Sequence, residues 1–350
     1  MKGEVNEDAP RILIIRRDNI GDLVCTTPLI AALRAKFPDA YLAALVNSYN
    51  RDALAGNPRL DAVFAYTKAK HRDEGESLLG AYLDRIRVFL ALRRLKFDYA
   101  ILATPHYQPH ALRFARAAGA AKVIGFTDQD GQRGIDLAVP YGGGATLHEA
   151  EDVFRLGAPL GIEGAVPPLE VFAEHGAEGR VRQALTASAM KGVGPLVAVH
   201  ISARKPSQRW PAAHFAEVMR NLQARHAARF LLLWAPGSEL NPQHPGDDQK
   251  ADAVIKLSAG LPVLPWPTAR LTDLVAALSL ADAVLCADGG AMHLAAGLGK
   301  PIACLFGDSG PSRWRPWGVP HVVLQPASRD VADVGVAEAV AALEKLISRG

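Results

Sequence analysis

Two carboxylates in this sequence stand where a carboxylate can do chemistry. Asp22 lies in the run Arg16-Arg17-Asp18-Asn19-Ile20-Gly21-Asp22-Leu23, and Asp288 opens the run Asp288-Gly289-Gly290-Ala291-Met292-His293. Each run follows a short apolar segment and leads into a helical pattern, so each reads as a turn at the carboxyl end of a parallel strand, where doubly wound folds place ligands. Gly21 permits close approach of a backbone or substrate. Asp22 has two readings: it opens and caps the following helix, or it is a general base that takes the proton of an attacking hydroxyl. At the second turn, the free backbone N–H groups of Gly289, Gly290, Ala291 and Met292 can face an anion with help from the helix dipole, which suits a diphosphate. The same glycines also read as a tight connection, and His293 as either a ligand donor or a buried, satisfied histidine. A third run, His200 to Pro211, holds Ser202, Arg204, Lys205 and Arg209. Clustered cations and hydroxyls there suit the phosphate oxygens of a leaving nucleotide, against the reading of a solvated basic loop.

Positioning these turns requires strands. Arg11–Ile15, Tyr41–Val46, Ala62–Tyr66, Tyr99–Ala103 and Lys122–Phe126 are short apolar runs rich in β-branched residues, separated by helical patterns such as Asp22–Phe37 and Leu78–Leu95. Strands apolar on both faces and separated by helices imply a parallel, doubly wound sheet. A helical stretch from Leu147 to about Leu160 leads to Gly161, Pro167 and Pro168, where the pattern breaks; strands resume at Leu196–His200, Arg229–Trp234, Ala283–Ala287, Ile302–Phe306 and His321–Gln325. Pro211 is expected at the first position of a helix, Ala291–Leu298 as a further helix, and Val331–Ser348 as a terminal helix with Val336, Val340, Leu343 and Ile347 on its buried face. The expected organisation is α/β: residues 1–165 a first Rossmann-like domain, 166–330 a second, and 331–350 a helix packed on the core.

Composition excludes several functions. With 350 residues, 49% hydrophobic and 21% charged, the chain can bury two cores. A formal charge of +3 without a Lys/Arg block argues against nucleic acid. Cys25, Cys286 and Cys304 lie far apart in apolar surroundings, as reduced packing residues do. The polar first ten residues lack the apolar core of a signal peptide, and apolar runs end well short of the ~18 residues of a spanning helix, so a chain that stays in the cytoplasm or touches a membrane from that side is expected. GxGxxG is missing, with Asn47 where a ribose-binding acid would stand, and so is the P-loop pattern; nicotinamide and P-loop chemistry are disfavoured. No cofactor and no metal are expected, since no DxD-like pair is suitably placed.

Taken together, the runs resemble glycosyltransferase family 9, the ADP-heptose:lipopolysaccharide heptosyltransferases. Arg11–Pro28 resembles the family's opening strand, Gly-Asp turn and helix; Gly119–Phe126 its following strand; His148-Glu149 the start of its linker-proximal helix; Trp210-Pro211 with Phe215 its WP element. Asp288–Ala296, with Gly299-Lys300-Pro301 and Leu305-Phe306-Gly307, resembles its most specific signature. The resemblance implies a GT-B architecture, two Rossmann-like doubly wound domains facing across a cleft, and an inverting single displacement. It implies Asp22 as the base, with Asn19, Gly21 and the basic Lys68, Lys70 and Arg72 toward the acceptor. The implied donor set is Ser202, Arg204, Lys205, Arg209, Asp288, Gly289, Gly290, Ala291, Met292 and His293. The partners it implies are ADP-heptose and a lipopolysaccharide-type glycolipid, with peripheral contact at the inner face of the membrane through the basic region Lys68–Lys96. Two positions depart from the family: Gln208 stands where a Lys is usual, and Gly289 where a Thr is usual. The competing readings are a GT-B transferase or epimerase using another nucleotide sugar, and a non-catalytic homologue that binds nucleotide sugars or glycolipids.

Overall fold

In the computed structural model of the chain, the described residues are 9–66, 78–128, 134–141, 147–188, 190, 193–240 and 246–348. They divide into two units, Met1–Leu169 and Glu170–Gly350.

The first unit holds strands β1 (Arg11–Ile15), β2 (Tyr41–Asn47), β3 (Ala62–Tyr66), β4 (Tyr99–Leu102), β5 (Lys122–Thr127) and β6 (Leu137–Pro140). All pair in parallel in the order β3-β2-β1-β4-β5-β6. The last four residues of β1, Ile12 to Ile15, are buried, so the strand is apolar on both faces, as a sheet covered by helices on both sides requires. Helices α1 (Ile20–Val24), α2 (Thr27–Lys36), α3 (Leu78–Arg94), α4 (Pro109–Ala118) and α5 (Glu149–Phe154) complete the unit.

The second unit repeats the plan. Its strands are β7 (Leu196–His200), β8 (Arg229–Trp234), β9 (Val263–Pro267), β10 (Ala283–Ala287), β11 (Ile302–Leu305) and β12 (His321–Leu324). They pair in parallel in the order β12-β11-β10-β7-β8-β9. In both sheets the first strand of the unit lies beside the fourth, the strand order of a dinucleotide-binding fold, whose ligand crevice opens where the order reverses. That switch point falls between β1 and β4 in one unit and between β7 and β10 in the other. The helices are α6 (His175–Ala187), α7 (Ala212–His226), α8 (Asp248–Leu257), α9 (Leu271–Ser279), α10 (Gly290–Gly297), α11 (Pro311–Trp314) and α12 (Val336–Ile347).

Several boundaries differ from expectation for local reasons. The helix expected over Asp22–Phe37 is two helices: Pro28 has no N–H to continue the ladder, and the hydroxyls of Thr26 and Thr27 donate to the carbonyls of Asp22 and Val24 (3.0 and 2.7 Å). The stretch before Gly161 is α-helical only to Phe154, then tightens to a 3-10 turn over Arg155–Leu160. Pro211 is the N-cap of α7 rather than its first residue, and α10 starts one residue early, at Gly290. On α12, Val340 and Leu343 are buried while Val336 and Ile347 are half-buried, because Ala339, Ala342 and Leu346 complete the inward face. Cys25, Cys286 and Cys304 are buried and form no disulfide with one another; burial, with Asp288 nearby, pushes the Cys286 thiol well above its usual range.

Candidate active-site residues in the two units

In the first unit the chain leaves β1 at Arg16, whose side chain is fully buried at the switch point. Its Nη1 donates to the carbonyl of Ala103, at the end of β4, while its Nη2 donates to Asp22 Oδ1 and Glu149 Oε1, both at 2.8 Å. Its Nε lies 3.2 Å from Asp18 Oδ2, an ion-pair distance without hydrogen-bond geometry. Burial alone pulls the guanidinium pKa down, but Glu149, Asp22 and Asp18 together raise it above its ordinary value.

Asp22 does not begin the helix. Asn19 is the N-cap of α1, and Asp22, its third residue, accepts from Asn19 N and Asn19 Nδ2 at 2.9 Å each through Oδ2. A carboxylate offers about four acceptor positions. Among the described residues, donors take two on Oδ2 and one on Oδ1, and the side chain keeps 12% of its surface exposed. The remaining lone pair is on Oδ1, and this is the position from which a base could act. Gly21 is buried in the same turn. Asn47, which sequence reasoning used only to argue against a dinucleotide, holds the turn: its Nδ2 donates to the carbonyls of Arg17 and Asp18 at 2.8 and 3.1 Å. Arg17 donates to the Tyr66 hydroxyl and lies over the Phe114 ring at 4.0 Å. Lys68, Lys70 and Arg72 lie outside the described residues.

The His148-Glu149 pair now divides into two tasks. His148 caps α5, its Nδ1 accepting from Ala150 N at 3.1 Å, and Glu149, 1% exposed, turns inward to Arg16. Arg16 and Glu149 were missed as site residues because they stand 133 positions apart; the available signal was that each stands within a recognised run.

In the second unit, the turn after β10 meets the loop after β7. Asp288 Oδ2 accepts from Gln208 Nε2 at 3.0 Å, and the same Nε2 donates to Ser309 Oγ at 3.1 Å. Burial raises the Asp288 pKa, opposed by Ser309, Lys205 and Gln208. Lys205 pairs with Asp308 at 3.1 Å on the surface. Gly307 allows the close approach: a Cβ there would stand 2.3 Å from the carbonyl oxygen of Ser207. The first turn of α10 has no side-chain cap, so its leading N–H groups have no internal partner. The side chains of Ala291, Met292 and His293 are buried, the His293 ring edge-on to Trp314, so these residues present main chain rather than side chain at the helix start. Around Gly289 there is open space where a Cβ would sit.

Two more of the expected donor set, Ser202 and Arg209, face the chain after β8. Ser202 Oγ accepts from Ala235 N at 2.9 Å, Arg209 Nε donates to Ala203 O and its Nη1 stands 3.9 Å from Glu239, and Arg204 is exposed. Sequence reasoning missed Asp247, Lys250 and Ser309, which belong to no recognisable run. Lys250 Nζ donates to Ile201 O at 2.9 Å, and burial, opposed by Asp247, brings its pKa down to about 8.

His200, at the end of β7, carries a pH prediction. Burial, with Lys250 adding, lowers its pKa to about 4, and its Nδ1 has no hydrogen-bond partner among the described residues. The unfolded chain therefore takes up this proton near the ordinary pH of about 6.5, before the folded one does. This contribution is full above that pH and is lost as pH falls toward 4, by about 3 kcal/mol. Urea unfolding of the protein and of His200→Gln between pH 7 and 4 measures it: the two stabilities should converge as pH falls, and parallel curves would refute the assignment.

Residues 85–335 match the sequence model of glycosyltransferase family 9 (heptosyltransferase). The chain is 24% identical to lipopolysaccharide heptosyltransferase 3 of Escherichia coli, over 93% of this chain and 96% of that protein. Among solved structures it is similar to the glycosyl transferase family 9 protein from Veillonella parvula (TM-score 0.83, 17% identity, 99% of each chain). It is also similar to E. coli ADP-heptose lps heptosyltransferase II (TM-score 0.75, 17% identity, 97% of this chain and 99% of that one). The two Rossmann-like units share the GT-B fold of these structures. The chain belongs to glycosyltransferase family 9.

Proposed function

We propose that the protein transfers heptose from ADP-heptose to a lipopolysaccharide inner-core acceptor, with inversion in a single displacement. The observation that carries this reading is the cluster Gln208–Asp288–Ser309 beside the uncapped start of α10, at the switch point of a unit belonging to family 9. The names of the similar E. coli proteins supply the donor and the acceptor class.

In this mechanism Asp22 accepts the acceptor hydroxyl proton through the open lone pair of Oδ1 while the oxygen attacks the anomeric carbon. The bond from that carbon to the phosphate oxygen breaks and ADP leaves. Its charge is met by the N–H groups of Gly289 to Met292 and by the cations Lys205, Arg204 and Arg209, which replace the lysine absent at Gln208. Asp288 and Ser202 hold the donor, the buried His293 supports the start of α10 from within, and Asn19 and Gly21 border the acceptor. Lys68, Lys70 and Arg72 meet its anionic groups. The reaction takes place at the cytoplasmic face of the inner membrane, which the protein reaches as a peripheral protein.

Thermal unfolding with ADP, UDP or GDP tests the donor. A ligand held only by the folded state, at ~100 times its Kd, stabilises by about 2.7 kcal/mol, which for a unit of this size raises the midpoint by several degrees. ADP should do so and UDP should not. Turnover of a UDP- or GDP-sugar with ADP-heptose inert would overturn the donor assignment; binding of ADP-heptose with no transfer to any core acceptor would favour a binding homologue.

A further inference from the structure

We propose that the outer face of the α3–α4 pair is a docking groove for an anionic phospholipid surface. The two helices lock through Phe89 and Phe114, whose rings stack at 5.2 Å and 22°. Beside this contact lies a groove of about 530 Å³, within the range of small-ligand sites. Ile86, Phe89 and Leu90 form its apolar side, and Arg85, Arg93 and Arg113 stand around it. No carboxylate is among the described residues that line it. The local sequence is one-sided in charge: 85–94 and 109–118 contain Arg85, Arg87, Arg93, Arg94, Arg113 and Arg116 and no Asp or Glu.

The apolar side chains separate this surface from an ordinary solvated basic helix. Ile86 is 42% exposed and Leu90 52%. They stand one helical turn apart on one face of α3, whereas the other large exposed hydrophobics among the described residues, such as Tyr49 and Leu257, are single. A free phosphate or nucleotide would engage the arginines and leave Ile86 and Leu90 in water. An amphiphile satisfies both: acyl carbon against Ile86, Phe89 and Leu90, and headgroup phosphate against guanidinium groups whose long stems let them reach outward. Arg85 is already placed over the Phe114 ring at 4.9 Å, and Arg17, from the turn that carries Asp22, covers the same ring at 4.0 Å. The groove therefore adjoins the Asp22 turn within the first unit. This sharpens peripheral contact from a general basic region to two hydrophobic contacts and three named arginines, and it does not depend on the identity of the sugar donor.

Flotation of the full chain with vesicles tests the groove, using phosphatidylcholine alone and an equal mixture with phosphatidylglycerol, at physiological ionic strength. Binding should be at least about ten-fold stronger to the mixed vesicles. Ile86→Ser/Leu90→Ser, which changes no charge, should weaken it about ten-fold, as should Arg93→Glu/Arg113→Glu. Arg182→Glu/Arg220→Glu, with the same charge change on exposed positions of α6 and α7, should leave it within about two-fold. Unfolding midpoints establish that each variant folds; if the serine pair lowers its midpoint, Leu90→Ser alone decides. Undiminished binding by the folded serine variant, equal binding to both vesicles, or equal loss in the α6/α7 control would each overturn the proposal. None of these readouts involves donor or transfer, so failure here and failure of the heptosyltransferase reading are separate results.

Discussion

Asp22→Asn is expected to lower kcat for sugar transfer by about 10²–10⁴-fold, the usual contribution of a positioned general base, with the affinity for the donor nucleotide unchanged. The substitution separates the two roles of the residue. Asn keeps the shape and one oxygen, which can still accept from Asn19 N or Nδ2, so most of the cap of α1 survives. What it loses is the basic lone pair on Oδ1 and the charge opposite Arg16. If Asp22 only caps, the variant should unfold somewhat more easily yet turn over at the normal rate per folded molecule. Asp22→Ala loses the same charge and the capping oxygen as well, so its further loss of stability relative to Asp22→Asn calibrates the capping share, expected at about 1 kcal/mol. The deciding measurements are steady-state transfer, calorimetric ADP binding and the unfolding midpoint on the same preparations. A normal kcat for the Asn variant would remove Asp22 from the chemistry.

The strands at the centre of both sheets were legible because burial on two faces leaves an uninterrupted apolar run; β1, β7, β8 and β10 begin and end where sequence places them. Edge strands β6 and β9 were not legible. Val139 is the one buried residue of β6, and β9, with Pro265 and Pro267, has none, so neither shows an apolar run, and Pro is tolerated at an edge where a ladder N–H is not needed. The two turns were found because glycine, acid and helix start are local signals. What surrounds the acids was not local: Gln208 reaches Asp288 across 80 positions, Ser309 reaches Gln208 across 101, and Glu149 reaches Arg16 across 133. Gln208 shows the limit most clearly. Sequence comparison marks it as a lost cation, whereas the structure shows the amide holding Asp288 and Ser309 together, a task that requires a hydrogen-bond donor but no charge.

Arg16→Met should be the most destabilising single substitution in the first unit that leaves its apolar core intact. Removing one partner of a buried ionic cluster typically costs about 3–5 kcal/mol, because the remaining charges lose their compensation without regaining water. Here Glu149 is 1% exposed and Asp22 12%, and both accept from the same Nη2. Arg16→Met/Glu149→Leu should recover part of that loss, since it removes the stranded carboxylate, giving a coupling of about 0.5–3 kcal/mol in a double-mutant cycle of urea unfolding. Additive losses would show that Glu149 does not need the guanidinium. Arg16→Lys extends the test to function. A single ammonium cannot bridge Ala103 O, Asp22 and Glu149 as the planar fork does, so a folded Lys variant should leave Asp22 less firmly oriented and lower kcat by more than it raises KM for the donor. Glu149→Gln provides the contrast, because it retains a hydrogen-bonding oxygen toward Arg16 and leaves the Asp22 contact in place; its kcat should fall less than that of Arg16→Lys. Equal kcat losses in the two variants would mean that the cluster supports the fold of the turn rather than the direction of Oδ1.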